Sequence, residues 1–194
     1  MTDAAIHLIT EGRFSDEDHS ALLPQLVKEL DHAARAGITA IQIREKNLSA
    51  GRLAELTRAV NAIGLPVFVN GRPDIAAAGA AGVHLPGNSF QAADVRKYFP
   101  GLKIGISVHS KQEAEAVSAD VDHIYFSPVF ETPNKGEPVG LKMLADVCKA
   151  AGNTPVIALG GVTFDHLDEL RTAGAAGFAA IRSLKELVRG MMNV

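Results

Sequence analysis

The sequence contains a single cysteine, Cys148, among 194 residues. One thiol cannot close an internal disulfide, and on a segment read as helix it is expected to be buried as a small apolar side chain rather than to react. An excess of one charge is also missing: 19 Lys and Arg stand against 22 Asp and Glu, a net charge of -3. That balance offers no basic field, so neither nucleic acid nor a membrane surface is expected as a partner. Long apolar runs are absent as well. Residues 1–10 have no basic start followed by an apolar core, and the alanine-rich stretch 75–85 is too short to span a bilayer. A cytoplasmic protein is expected. No linker, low-complexity tract or internal sequence repeat divides the chain, and its length suits one domain over 1–194 with a substantial core. Monomer and homo-oligomer both stay open.

What is present centres on residues 155–184, PVIALGGVTFDHLDELRTAGAAGFAAIRSL. A short apolar run stops at Gly160-Gly161, an amphipathic segment (164–173) follows, Gly174 closes it, and a second apolar run (177–181) leads toward Ser183. This is a strand, helix, strand unit, whose strands are expected to be parallel neighbours joined by a right-handed crossover. Gly160 and Gly161 end the first strand without a Cβ, and Ser183 begins the next helix, as in the paired loops that hold phosphate in many barrels. Glycines that merely turn the chain are the alternative.

The same beat runs through the chain. Strands are predicted at 7–10, 40–45, 66–70, 82–85, 103–108, 123–129, 155–159 and 177–181, each followed by a helical segment: 22–36, 49–63 with Ser49 as cap, 74–80, 91–98, 110–117, 140–151, 164–173 and 183–191. Eight such units predict an α/β fold, a single closed (β/α)8 TIM barrel, although 194 residues is lean for it. Functional groups are then expected where strands run into their following loops. In IQIREK, alternation places Gln42, Arg44 and Lys46 on one side and Ile41 and Ile43 on the other, so that the isoleucines pack under the helices and Gln42 and Arg44 point into the barrel. A guanidinium there holds a charged ligand or a buried ion pair. Asn70, Ser107, His109, Thr132 and Lys135 end or follow later strands on the same rim, Lys135 as a phosphate contact or a solvated loop charge.

The stretches IQIREK, VNGRPDIAAAGAAGVHL, GISVHS, FSPVFETPNKGEPVGL and IALGGV, in this order and at these separations, resemble the thiamine phosphate synthase and TenI family of (β/α) barrels over nearly the whole chain. The resemblance implies a part in thiamine biosynthesis with a thiazole phosphate as ligand. In that family the synthase joins hydroxymethylpyrimidine diphosphate to thiazole phosphate with Mg²⁺, and the TenI branch includes a tautomerase that aromatises a carboxylated thiazole phosphate. Gln42, Arg44, Lys46, Asn70, Ser107, Thr132 and Lys135 match synthase residues that hold the pyrimidine diphosphate, and Gly160, Gly161, Arg182 and Ser183 form the expected phosphate site. Arg182 either pairs with the phosphate or obstructs it. Where synthases carry two metal-binding aspartates this chain has Gly71 and Ser89, so no metal ligand is expected, and Mg²⁺ enters only if the synthase reaction holds. NGR, LPGNSF, SVHS and FET look instead like the TenI branch, whose proton-carrying His is replaced here by Pro128. His109 and His84 are the candidate catalytic replacements, His84 alternatively being a hydrogen-bonded barrel residue. His7, His19, His32, His123 and His166 are expected in surface or structural roles. Tautomerase is the favoured activity; the synthase and a non-catalytic thiazole-phosphate-binding or regulatory protein are the alternatives.

Overall fold

A computed structural model describes residues 4–133 and 135–181. Eight parallel strands close into a barrel in simple sequence order: β1 (Ala5–Ile9), β2 (Ala40–Ile43), β3 (Val67–Asn70), β4 (Gly82–Leu85), β5 (Lys103–Val108), β6 (His123–Phe126), β7 (Val156–Leu159) and β8 (Gly177–Ala180), with β8 paired back to β1. Between them lie α1 (His19–Ala36), α2 (Ala50–Asn61), α3 (Pro73–Ala76), α4 (Ala92–Tyr98), α5 (Lys111–Val117), α6 (Gly140–Ala151) and α7 (Leu167–Thr172). The predicted final helix, together with Arg182 and Ser183, lies outside the described residues.

The period-2 pattern of the strands separates two cores. Alternate residues such as Leu8, Ile41, Ile43, Val67, Val69, Val83, Ile104, Ile124 and Phe126 face outward and join the helices in one large apolar cluster. Burying side chains of this size stabilises by about 1.5–3 kcal/mol each, which is why the helices are held to the barrel. The intervening positions face inward. Ile9, Tyr125, Ile157 and Ala179 form a second, smaller cluster. Around it sit His7, Phe68, His84 and His123, whose rings contact one another within the barrel. Gly105 makes this possible: a Cβ at that position would collide with the His123 imidazole and lie 3.0 Å from Nδ1 of His84.

Several predicted boundaries shift. Helix α1 begins at His19 rather than at 22, because the ring of His19 is fully buried against Phe14 and extends the apolar contact by one turn. The segment 74–80 keeps only a short helix, and residues 77–79 tighten into turns whose N–H groups reach back to carbonyls such as Ile75 and Ala76. Residues 164–166 form a 3₁₀ turn before α7, with the N–H of Thr163 donating to Nδ1 of His166 at 3.0 Å. Ser49 occupies the cap position of α2, but its side chain makes no cap bond; its own N–H donates to Oδ1 of Asp16 at 2.8 Å.

Candidate functional site

At the carboxyl ends of the strands a cavity of about 190 Å³ is lined by Gln42, Arg44, Lys46, Asn70, His84, Ser107, His109, Tyr125, Ser127 and Lys135, with Ile9, Leu159 and Ile181 among the apolar contacts. Most of the predicted substrate residues therefore converge although they come from separate strands. A second cavity of about 300 Å³, lined by Thr132, Gly160, Gly161, Val162 and Ala180, shares Leu159 and Ile181 with the first. Thr132 belongs to this second space rather than to the one around Gln42, because its hydroxyl turns back to donate to Phe130 O at 2.9 Å.

The floor is polar but neutral. Nε2 of Gln42 donates to Oδ1 of Asn70 at 3.0 Å, while Oε1 of Gln42 is buried without a hydrogen-bond partner among the described residues. Nε2 of His84 lies 2.8 Å from Ser107 Oγ, and the His84 ring stacks on Tyr125 with centroids 4.4 Å apart. Below, Nδ1 of His7 is 2.8 Å from the Tyr125 hydroxyl. Desolvation pushes the pKa of His7 down to about 4 and that of His123 to about 3, and holds His84 well below 6.5, with neighbouring imidazoles adding to the shift of His84. Burial raises the Tyr125 phenol instead. These shifts favour the uncharged forms near neutral pH, and His84 sits at the cavity floor bonded to Ser107.

The positive charge sits at the mouth. Strand β2 ends at Ile43, so Arg44 stands just past the strand, half-buried, and lines the cavity together with Gln42. Its N–H leaves the ladder to donate to Thr10 Oγ1 at 2.8 Å, and Glu45 turns into the protein, where its carboxylate accepts N–H groups of Gly12 (3.0 Å) and Phe14 (2.9 Å). This buried carboxylate ties the β1–α1 loop to the end of β2 and leaves Arg44 and Lys46 beside the cavity. Arg44, Lys46 and Lys135 make no salt bridge among the described residues. Arg72, by contrast, is engaged by Asp74 through bonds of 2.8 and 2.6 Å.

His109 is exposed at the rim, and its placement is specific. Its Nδ1 lies 2.8 Å from the carbonyl oxygen of Ser127. A carbonyl only accepts, so Nδ1 carries a hydrogen, and in the neutral ring the lone pair is on Nε2. The backbone is pinned as well: the N–H of His109 donates to Oε2 of Glu113 at 2.8 Å, and Ser110 caps α5 by accepting from Glu113 N–H at 3.2 Å.

Gly160 and Gly161 line the second cavity with φ of 92° and 66°. The close approach they permit is to the β6–α6 loop, since a Cβ on Gly161 would lie 2.5 Å from Glu131 O and 2.8 Å from Phe130 Cβ. Gly161→Ala is therefore expected to lose at least about 1–2 kcal/mol of stability from the left-handed backbone alone. Urea unfolding measures this, and an unchanged midpoint would remove that strain from the account.

A family model described as thiamine monophosphate synthase matches residues 8–184. The chain belongs to the thiamine phosphate synthase and TenI family. It is 39% identical over 192 residues to a putative thiamine-phosphate synthase of Geobacter sulfurreducens, an alignment covering 94% of this chain and 87% of that protein. It is 32% identical over 204 residues to the thiamine-phosphate synthase of Enterococcus faecalis, covering 97% and 93% of the two chains. Among solved structures, a thiamine phosphate pyrophosphorylase from Pyrococcus furiosus superimposes with a TM-score of 0.79 at 26% identity, over 97% of this chain and 92% of that one.

Within this family, the resemblance ties the synthase reaction to Mg²⁺ held by two aspartates. At the positions the resemblance assigns to those aspartates this chain has Gly71 and Ser89, and among the described residues no group of three or more His, Cys, Asp or Glu side chains comes together. Asp74, the carboxylate nearest Gly71 in sequence, is paired with Arg72. Among the described residues, no helix is long and apolar enough to cross a membrane. Sequence reasoning missed Tyr125 and Ser127 in the cavity wall and the stitching role of Glu45. The alternation of HIYF, with His123 and Tyr125 on one face, was the available signal for Tyr125. His7, His19 and His123, expected in surface or structural roles, are buried.

Proposed function

We propose that this protein is a transferase that joins hydroxymethylpyrimidine diphosphate to thiazole phosphate and releases diphosphate, as the names of its relatives indicate for them. The observation carrying this reading is the pairing of three cations without salt-bridge partners among the described residues, Arg44, Lys46 and Lys135, with an amide and hydroxyl floor in one cavity. A heteroaromatic ring fits the floor. The amide of Gln42 lines the floor beside the ring, and the cations meet the diphosphate. The thiazole ring nitrogen then forms a C–N bond to the pyrimidine methylene as its C–O bond to diphosphate breaks. The electron pair leaves with the diphosphate, and stabilising that charge is the work assigned to Arg44, Lys46 and Lys135. The thiazole phosphate belongs in the adjoining cavity at Gly160 and Gly161.

A second reading, the thiazole tautomerase, is favoured by His109. Its lone pair at Nε2 belongs to an imidazole held on Ser127, the residue before Pro128, where the TenI branch carries its proton-transferring His. The deciding experiment incubates pure protein with each substrate set, with and without Mg²⁺, and follows product by chromatography. Thiamine phosphate formation is the expected result. Aromatisation of the carboxylated thiazole alone would replace the first reading by the second. In that case His109→Ala is expected to lower kcat by about 10²- to 10⁴-fold with little change in KM. Tight binding of thiazole phosphate without turnover of either set would make the protein a non-catalytic binder.

A further inference from the structure

The hydrogen bond between His84 and Ser107 has two possible directions, and the direction decides what Ser107 offers to a ligand. Either Nε2–H donates to the hydroxyl oxygen, or the hydroxyl donates to a bare Nε2. The remainder of the His84 ring distinguishes them. Nδ1 of His84 is buried with no hydrogen-bond partner among the described residues, and it faces the backbone of Gly105 and the imidazole of His123. A buried N–H left unmade costs more, and is found less often, than an acceptor lone pair left unmade. The unpartnered nitrogen is therefore the one without hydrogen. Nε2 of His123 is also buried without a hydrogen-bond partner among the described residues. Were both nitrogens to carry hydrogen, two N–H dipoles would point into the same small space beside Gly105.

We propose that His84 is held as the Nε2–H tautomer and is a positioning residue: by donating to Ser107 Oγ it turns the Ser107 hydroxyl into a hydrogen-bond donor aimed into the cavity. Ser107 is half-buried and lines that cavity, so the O–H has a direction left to point once its oxygen has accepted from His84. The atom it recognises is an acceptor, a ring nitrogen or phosphate oxygen of the ligand. This explains why an imidazole stands in a strand that otherwise reads Gly, Val and Leu. Tyr125 stacks on the ring and prevents it from swinging away from Ser107. That the ligand is a pyrimidine or thiazole phosphate rests on the function proposed above; the tautomer does not.

Two measurements separate the inference from that reading. Nitrogen-15 NMR of the full chain, with the His84 resonances assigned by their loss in His84→Gln, reports which ring nitrogen bears hydrogen. A pyridine-like Nδ1 and a pyrrole-like Nε2 at pH 7.5 are expected; the reverse assignment overturns the proposal, whatever the protein turns out to bind. Calorimetry with thiamine monophosphate as probe then compares Ser107→Ala, His84→Leu, His84→Gln and the Ser107→Ala/His84→Leu double variant. Each of the first two is expected to weaken binding about tenfold. The double variant should be no weaker than either single one, and His84→Gln, which keeps a donor near Nε2, should recover most of the affinity. Additive losses, or equal losses in His84→Leu and His84→Gln with both variants folded, would show a structural role only and overturn the proposal. No binding of the probe to the wild type would count against the functional reading, and the NMR assignment would still decide the tautomer.

Discussion

Arg44→Ala is expected to lower kcat/KM for the joining reaction by about 10²- to 10³-fold, the loss typical when one preorganised donor to a developing negative charge is removed. The expectation rests on three features of the residue. Arg44 lines the cavity with Lys46 and Lys135, and none of the three makes a salt bridge among the described residues, so their charge is available to a ligand. Its backbone is anchored through Thr10, and the adjacent Glu45 is locked onto the β1–α1 loop, which restricts where the guanidinium can go. Where the resemblance leads one to expect metal-binding aspartates this chain has Gly71 and Ser89, so the leaving-group charge is assigned to the cationic side chains. Arg44→Lys should recover only part of the loss, because an ammonium keeps the charge without the planar fork that binds two oxygens together. Folding stability should change little, since Arg44 makes no ion pair among the described residues. Inorganic diphosphate, titrated by calorimetry, gives a readout that does not depend on turnover. Wild-type affinity for diphosphate in Arg44→Ala, together with unchanged kcat/KM, would take Arg44 out of the site.

Stability is expected to fall steeply as pH drops from about 6.5 toward 4. His7 and His123 lie inside the barrel with pKa values lowered by desolvation to about 4 and about 3, against about 6.5 for an exposed imidazole. Below pH 6.5 the unfolded chain takes up protons that the folded barrel refuses, so the unfolded state binds more of them. Stability therefore rises with pH across this window and is lost on acidification. At pH 5 each of these two groups is expected to remove on the order of 2 kcal/mol relative to pH 7.5, a large share of the stability of an ordinary domain. His84, shifted in the same direction, adds to the trend. Urea unfolding at pH 7.5 and 5.0 measures the difference, and His7→Gln should reduce it by one group's share. A free energy of unfolding that is the same at both pH values would mean that these imidazoles are not held neutral in the folded state.

The architecture was readable from local pattern. Strand alternation such as Ile41 and Ile43 facing the helices, and the repeated strand and helix beat, depend on near neighbours in sequence, and the structure keeps all eight strands. The motifs from IQIREK to IALGGV were likewise enough to identify the family, because each is a short run whose spacing survives in sequence. Most residues of the site also followed, since Gln42, Asn70, Ser107 and Lys135 end or follow strands whose carboxyl ends must meet when a parallel barrel closes.

What only the tertiary structure decided concerns partners far apart in the chain. His7 meets Tyr125 across 118 residues and His109 meets the Ser127 carbonyl across 18, distances over which no periodicity carries information. The electrostatic character of the interior followed from those contacts: of the histidines expected in surface or structural roles, His7 and His123 lie inside the barrel, where desolvation lowers their pKa. Arg44 stands just past the end of β2, where Thr10 takes its N–H and Glu45 ties the next residue to the β1–α1 loop. Thr132 departed because its hydroxyl closes on its own loop. Sequence alternation sets which way a side chain starts from its strand; hydrogen bonds to other loops decide where that strand ends, and so which side chains stand at the mouth of the cavity and which form its floor.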